Sequence, residues 1–159
     1  MNRYAPHVYV IPEDDRNRQI ADGFVLHDQV KDTRIQVVPP AGGWSRVIDT
    51  FRDEYIAKLR EYTAAHVVLL IDFDRQFKKR KARFEREVPD ELTTRVFVVG
   101  AKDNPEALKK ALNIAFEEIG TLLADDCHAD VAGLWDHEQL RHNDLERKRL
   151  VEIVKPFLF

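Results

Sequence analysis

The stretch HVVLLIDFD, residues 66–74, is the most continuously apolar run in the chain. Strands covered on both faces read as unbroken apolar runs, so it predicts a central strand of a parallel sheet. It ends on Asp72 and Asp74, and RQFKKRKARFER (75–86), crowded with positive charge, follows at once. Working outward, HVYVIP (7–12) is β-branched and stops at a proline, which predicts a second buried strand. TRIQVVPP (33–40) is a third, closed by two prolines, and RVFVVG (95–100) a fourth. Helical spacing fills the gaps. DRNRQIADGFVL (15–26) repeats Ile20, Phe24 and Val25, with Gly23 weakening it. GWSRVIDTFRDEYIAKLREY (43–62) aligns Trp44, Val47, Ile48, Phe51, Tyr55, Leu59 and Tyr62 on one face. NPEALKKALNIAFEEIGTLL (104–123) reads as one helix with Pro105 in its first turn. The last helix has Asn143 and Glu146 at capping-box spacing and ends before Pro156. Strands alternating with helices predict an α/β three-layer sandwich with a mostly parallel four-stranded central sheet.

With 159 residues, 44% apolar and 33% charged, the chain fits a single domain, 1–159. Its core is expected over about 7–123, with a C-terminal helical extension over 124–159. The net charge of -3 requires any basic footprint to be local. One cysteine, Cys127, excludes a disulfide framework within the chain. It stands beside His128, Asp125, Asp126 and Asp130, but one thiol without a second cluster predicts a surface loop rather than zinc. No stretch is apolar for long enough to span a membrane and the amino terminus lacks a signal-peptide run, so the expected location is the cytoplasm.

Parallel strands aim their carboxyl ends at one edge, where open α/β sheets bind ligands. Glu13, Asp14 and Asp15 end the first strand, Asp72 and Asp74 the third, and Lys102 follows the fourth. Two like charges ~4 Å apart repel by about 4 kcal/mol at an effective dielectric of 20, which protonation, a basic partner or a divalent cation relieves. A cation accounts for both clusters together. Mg²⁺ takes one or two protein carboxylates and keeps water and phosphate as its other ligands. Strand geometry continued to Asp74 would point Asp72 and Asp74 the same way. Asp15 is the expected cap of the helix beginning near Asn17. In PPAGGWSRV (39–47), Gly42 and Gly43 precede a helix with Ser45 placed to cap it, an arrangement able to offer N–H groups to an anion. Arg75, Lys78, Lys79, Arg80, Lys81, Arg83 and Arg86 have only Glu85 and Glu87 as local acidic partners, so phosphate contacts explain them better than salt-bridge lacing.

These elements together resemble the TOPRIM domain, the catalytic fold of topoisomerases, bacterial primases and several small nucleases. VYVIPEDDRNRQIADGFV resembles the family's first element, with Glu13 its glutamate. VVLLIDFD resembles the second, with Asp72 and Asp74 its Asp-x-Asp, and VVPPAGGWSRVIDTF resembles the glycine pair of the overcoming-lysogenisation-defect nuclease branch. The likeness covers roughly residues 7–102. Asp14 stands where the family has glycine, and Arg75-Gln76 replace a second one. The resemblance implies Mg²⁺ or Mn²⁺ held by Glu13, Asp72 and Asp74, with Glu13 also able to act as general base and Lys102 stabilising charge on a phosphate. Without a second domain or a zinc module, hydrolysis of nucleic acid, DNA or RNA, is the chemistry that remains. The family's setting implies phage defence or nucleic-acid processing and a protein partner such as an ATPase. Two other readings stay open. One is a non-catalytic TOPRIM-like binding module, which the apolar tail VEIVKPFLF (151–159) would suit. The other is a receiver-like phosphoacceptor built on Asp14, Asp15, Asp72 and Lys102.

Overall fold

The four apolar runs form β1 (His7–Pro12), β2 (Ile35–Val37), β3 (Ala65–Leu70) and β4 (Val96–Val99) in a computed structural model that describes residues 1–159. All pair in parallel, in the order β2-β1-β3-β4, with Val10 opposite Val37 and Val68 and with Leu69 opposite Val98. The result is a three-layer α/β sandwich. Alternate strand residues face opposite layers, as the period of two requires. Tyr9, Ile11, Val67, Leu69, Ile71, Val96 and Val98 pack under α2 (Trp44–Thr50) and α3 (Ile56–Glu61), together with Phe84 of α4 (Phe77–Glu85). Val8, Val10, Ile35 and Phe97 face the other layer, which holds α1 (Asp15–Val25), α6 (Phe116–Ala129), α7 (Asp144–Ile153) and α8 (Lys155–Leu158). Trp135 anchors a satellite cluster beneath α6 and donates its indole N–H to the Leu123 carbonyl at 3.2 Å. No helix is long and apolar enough to cross a membrane.

Several elements depart from the sequence reading for local reasons. The 43–62 helix is continuous but carries a π turn over Phe51–Tyr55. The single helix expected over 104–123 is two, α5 (Pro105–Leu112) and α6, because Asn113 takes a left-handed conformation with φ 54°. Asparagine adopts that region more readily than most residues. α6 runs unbroken through position 123, so no structural boundary separates a core from an extension there. The capping box at Asn143 and Glu146 does not form. Both side chains instead bond the open edge of β4: Asn143 accepts from Gly100 N–H at 3.2 Å and donates to its carbonyl, while Glu146 accepts from Val98 N–H at 2.8 Å. Arg149 adds its guanidinium to the Val96 carbonyl and to Glu146. Side chains of the α7 region thus occupy positions where a fifth strand would pair. The apolar tail packs on its own sheet, with Leu158 buried and Phe159 edge-on to Phe24.

Gly23 weakens α1 as a helix but permits its packing. A Cβ there would lie 1.9 Å from the Glu117 carbonyl oxygen, and one on Gly120 would lie 1.9 Å from that of Ile20. α1 and α6 therefore touch backbone to backbone.

Candidate functional site

In the order β2-β1-β3-β4 the direction of winding reverses between β1 and β3, the switch point at which open α/β sheets form a crevice. Glu13 N–H extends the β1–β3 ladder by one bond, to the Leu70 carbonyl at 2.9 Å. The chain then turns into α1, and Asp72 N–H loses its main-chain partner. The Glu13 carboxylate takes that place through Oε2 at 2.7 Å. Asn17, 1% exposed, lies in the first turn of α1. Its Nδ2 donates to Asp14 Oδ1 at 3.0 Å and to Asp72 Oδ1 at 2.9 Å. Asp14, not Asp15, caps the helix, accepting from Asn17 N–H at 2.9 Å, while Asp15 pairs with Arg18. One amide therefore joins two carboxylates from different strand ends.

Glu13 is 9% and Asp72 7% exposed. The second oxygen of each accepts no hydrogen bond from the protein, yet neither oxygen is sealed from solvent. Burial pushes the Asp72 carboxyl up to about 7, the Asn17 hydrogen bond opposes this, and the charges of Glu13, Asp14 and Asp74 add to it. Glu13 is also raised, chiefly by burial, against the pull of Asp72 N–H. The pair is a place where negative charge is held at a cost.

Asp74 does not join them. Main-chain bonds toward the β4 side continue past Leu70 through Ile71 and Phe73, but Asp74 and Arg75 are both left-handed, with φ 47° and 60°. Its carboxylate instead pairs with Arg80, which also donates to the Asp72 carbonyl at 2.9 Å and lies 4.6 Å above the Trp44 ring. No group of three or more His, Cys, Asp or Glu side chains is arranged to hold a metal ion, so the set Glu13, Asp72 and Asp74 is not assembled. Glu13 and Asp72 alone still suit a cation that needs only one or two carboxylates, since each keeps an oxygen free of protein donors.

The loop with Gly42 and Gly43 is bound to this site differently from the sequence reading. Both glycine N–H groups donate to the Glu13 carbonyl, at 2.9 and 3.1 Å, leaving neither for an anion. Their φ values of 95° and 134° make that double contact possible. Gly43 occupies the cap position of α2 and Ser45 makes no capping bond. Lys102 approaches Glu138 at 3.8 Å, whereas the charges acting on Asp72 are Glu13, Asp14 and Asp74. Of the basic residues, Arg75 pairs with Asp103, Arg80 with Asp74, Lys81 with Glu146 at 3.7 Å and Arg83 with Glu87. Three of these partners are supplied by the turns or by α7, beyond the reach of an i,i+4 count. Lys78 and Lys79 remain exposed, with no acidic partner.

Asn17 is the residue the sequence reading missed. Its signal was present: an amide three residues after a capping aspartate, on the turn facing the strand ends. Asn17→Ala is expected to raise Asp72 further, because it removes a hydrogen bond that favours the charged form. It should also lower stability by about 1–3 kcal/mol. NMR titration of the carboxyl carbon and urea unfolding would measure the two effects, and an unchanged Asp72 titration would refute the bridge. No protein-family model, curated protein or solved structure matches this chain.

Proposed function

We propose that the chain is a Mg²⁺-dependent nuclease of TOPRIM type, acting on phosphodiester bonds at the crevice between β1 and β3. The observation carrying this reading is the meeting of Glu13 and Asp72, each buried, each raised and each with an oxygen open to solvent. These two residues would hold the cation, which supplies charge neutralisation on the phosphate and a more acidic bound water. Asn17 fixes Asp72, Gly42 and Gly43 hold the Glu13 backbone, and Arg80 anchors the turn that carries Asp74. Lys78 and Lys79, with Arg75 at the turn, give a nucleic acid its phosphate contacts. A test incubates the protein with single- and double-stranded DNA and RNA in Mg²⁺ or Mn²⁺. Cleavage is expected in wild type and absent in Asp72→Asn; equal behaviour of the two would overturn the assignment.

One observation favours a second reading, a TOPRIM-like module that binds nucleic acid without cutting it. Asp74 is neutralised by Arg80, and the third carboxylate is thereby withdrawn. Salt-sensitive binding that depends on Lys78 and Lys79, with no cleavage under any metal, would select it.

A further inference from the structure

Arg80 has more hydrogen-bonding capacity than its place in the turn uses. Its side chain is only 10% exposed, although it carries a full charge. A guanidinium has five N–H donors in one fixed plane. Nη1 uses its two, donating to the Asp72 carbonyl at 2.9 Å and to the Asp74 carboxylate. The other three, on Nε and Nη2, meet no acceptor in the protein, and neither nitrogen is sealed from solvent. The Trp44 ring, 4.6 Å from the guanidinium carbon, sets the plane. Trp44 directly follows the glycine pair that grips the Glu13 carbonyl. Burial raises the Glu13 carboxyl, the Asp72 N–H opposes this, and so does the Arg80 charge. The guanidinium therefore stands beside both site carboxylates, with one edge tied down and the other open.

A nearly buried cation with three unmet donors costs stability that a ligand can return. Nε–H beside Nη2–H is a fork that matches two oxygens of one oxyanion. Glu13, Asp14, Asp72 and Asp74 surround it with negative charge, which disfavours a lone anion. They favour one that also ligates a cation, as a phosphate oxygen does.

We propose that Arg80 grips the scissile phosphate through its Nε–Nη2 edge, and that Asp74, on Nη1, is a tethered competitor that weakens the grip. The identity of that phosphate rests on the nuclease reading; the arginine site itself does not. Calorimetric titration with inorganic phosphate in excess Mg²⁺ reads the site without cleavage. Wild type is expected to bind saturably, with a Kd on the order of 1 mM, and to change the emission of Trp44. The other indole, Trp135, is buried beneath α6 and gives a constant background. Arg80→Lys keeps the charge and has donors for Asp72 and Asp74 but loses the planar fork, so phosphate should bind about tenfold more weakly. Asp74→Asn, at an exposed left-handed position that asparagine accepts, should bind it about fivefold more tightly. That second variant carries the test should Arg80→Lys not fold. With oligonucleotide at saturation, Arg80→Lys should slow cleavage about 100-fold. No saturable phosphate binding, unchanged affinity in either folded variant, or a wild-type cleavage rate in Arg80→Lys would overturn the assignment. Phosphate binding in the expected order without any cleavage would keep the arginine site and remove the nuclease.

Discussion

Asp72→Asn is expected to make the protein more stable at pH 8 and to leave it unchanged near pH 4. Burial holds the Asp72 carboxyl at about 7, against ~3.9 for an aspartate in an unfolded chain. Between those values the folded state keeps a proton that the unfolded state has released. Stability therefore falls as pH rises from about 4 to about 7, and levels off above that. Each pH unit corresponds to ~1.4 kcal/mol, so the loss approaches about 4 kcal/mol at pH 8. The asparagine variant keeps the Asn17 hydrogen bond through its carbonyl and never charges, so that loss disappears. Glu13 is raised as well, which leaves the variant a shallower slope of the same sign. Urea unfolding at pH 4, 6 and 8 measures all of this, and parallel profiles for the two proteins would refute the buried charge.

The same experiment separates an acid that is merely buried from one that serves a cation. A Mg²⁺ ion held as proposed would compete with the proton for Asp72, so adding it at pH 8 should restore what deprotonation removed. At about 100-fold over its Kd it would contribute ~2.7 kcal/mol to wild type and little to Asp72→Asn. The gap between the proteins should narrow accordingly. Below pH 6 the proton occupies the site and the metal effect should fade. A gap indifferent to Mg²⁺ would remove the metal and leave the titration intact.

The convergence of Glu13 and Asp72 was legible because it depends on strand ends, and strand ends are written in apolar runs and the residues that stop them. The order β2-β1-β3-β4 then made neighbours of positions 59 apart in sequence. What could not be read depended on single torsions or distant partners. Asp74 looked equivalent to Asp72, but a left-handed turn reversed its side chain toward Arg80. Gly42 and Gly43 looked ready for an anion, but the Glu13 carbonyl fills the space between their N–H groups. The basic segment 75–86 looked unpaired because Asp74, Asp103 and Glu146 reach it from the turns and from α7. Asn143 and Glu146 kept capping-box spacing while answering a different need, the open edge of β4.

Gly120→Ala is expected to lower stability by about 3 kcal/mol, although helix propensity alone predicts the opposite. Alanine is favoured over glycine in a helix interior by about 1 kcal/mol. At this position its Cβ would sit 1.9 Å from the Ile20 carbonyl oxygen and 2.7 Å from the Phe24 nitrogen, distances that only displacement of α1 can relieve. Both neighbours are backbone, so no side chain can rotate away. A loss of that size corresponds to roughly 6–12 °C in Tm for a domain of this length, measurable by calorimetry. Gly23→Ala presses the same helix pair apart through the Glu117 carbonyl. Once one methyl has separated the helices, the second adds less, so the double variant should fall short of the sum. The displacement also reaches the site, since α1 carries Asn17 between Asp14 and Asp72. Gly120→Ala should therefore move the Asp72 titration as well as Tm, joining a helix contact on the sheet's face to the carboxylates at its edge. A stable Gly120→Ala variant with an unaltered Asp72 would refute the close approach and its link to the site together.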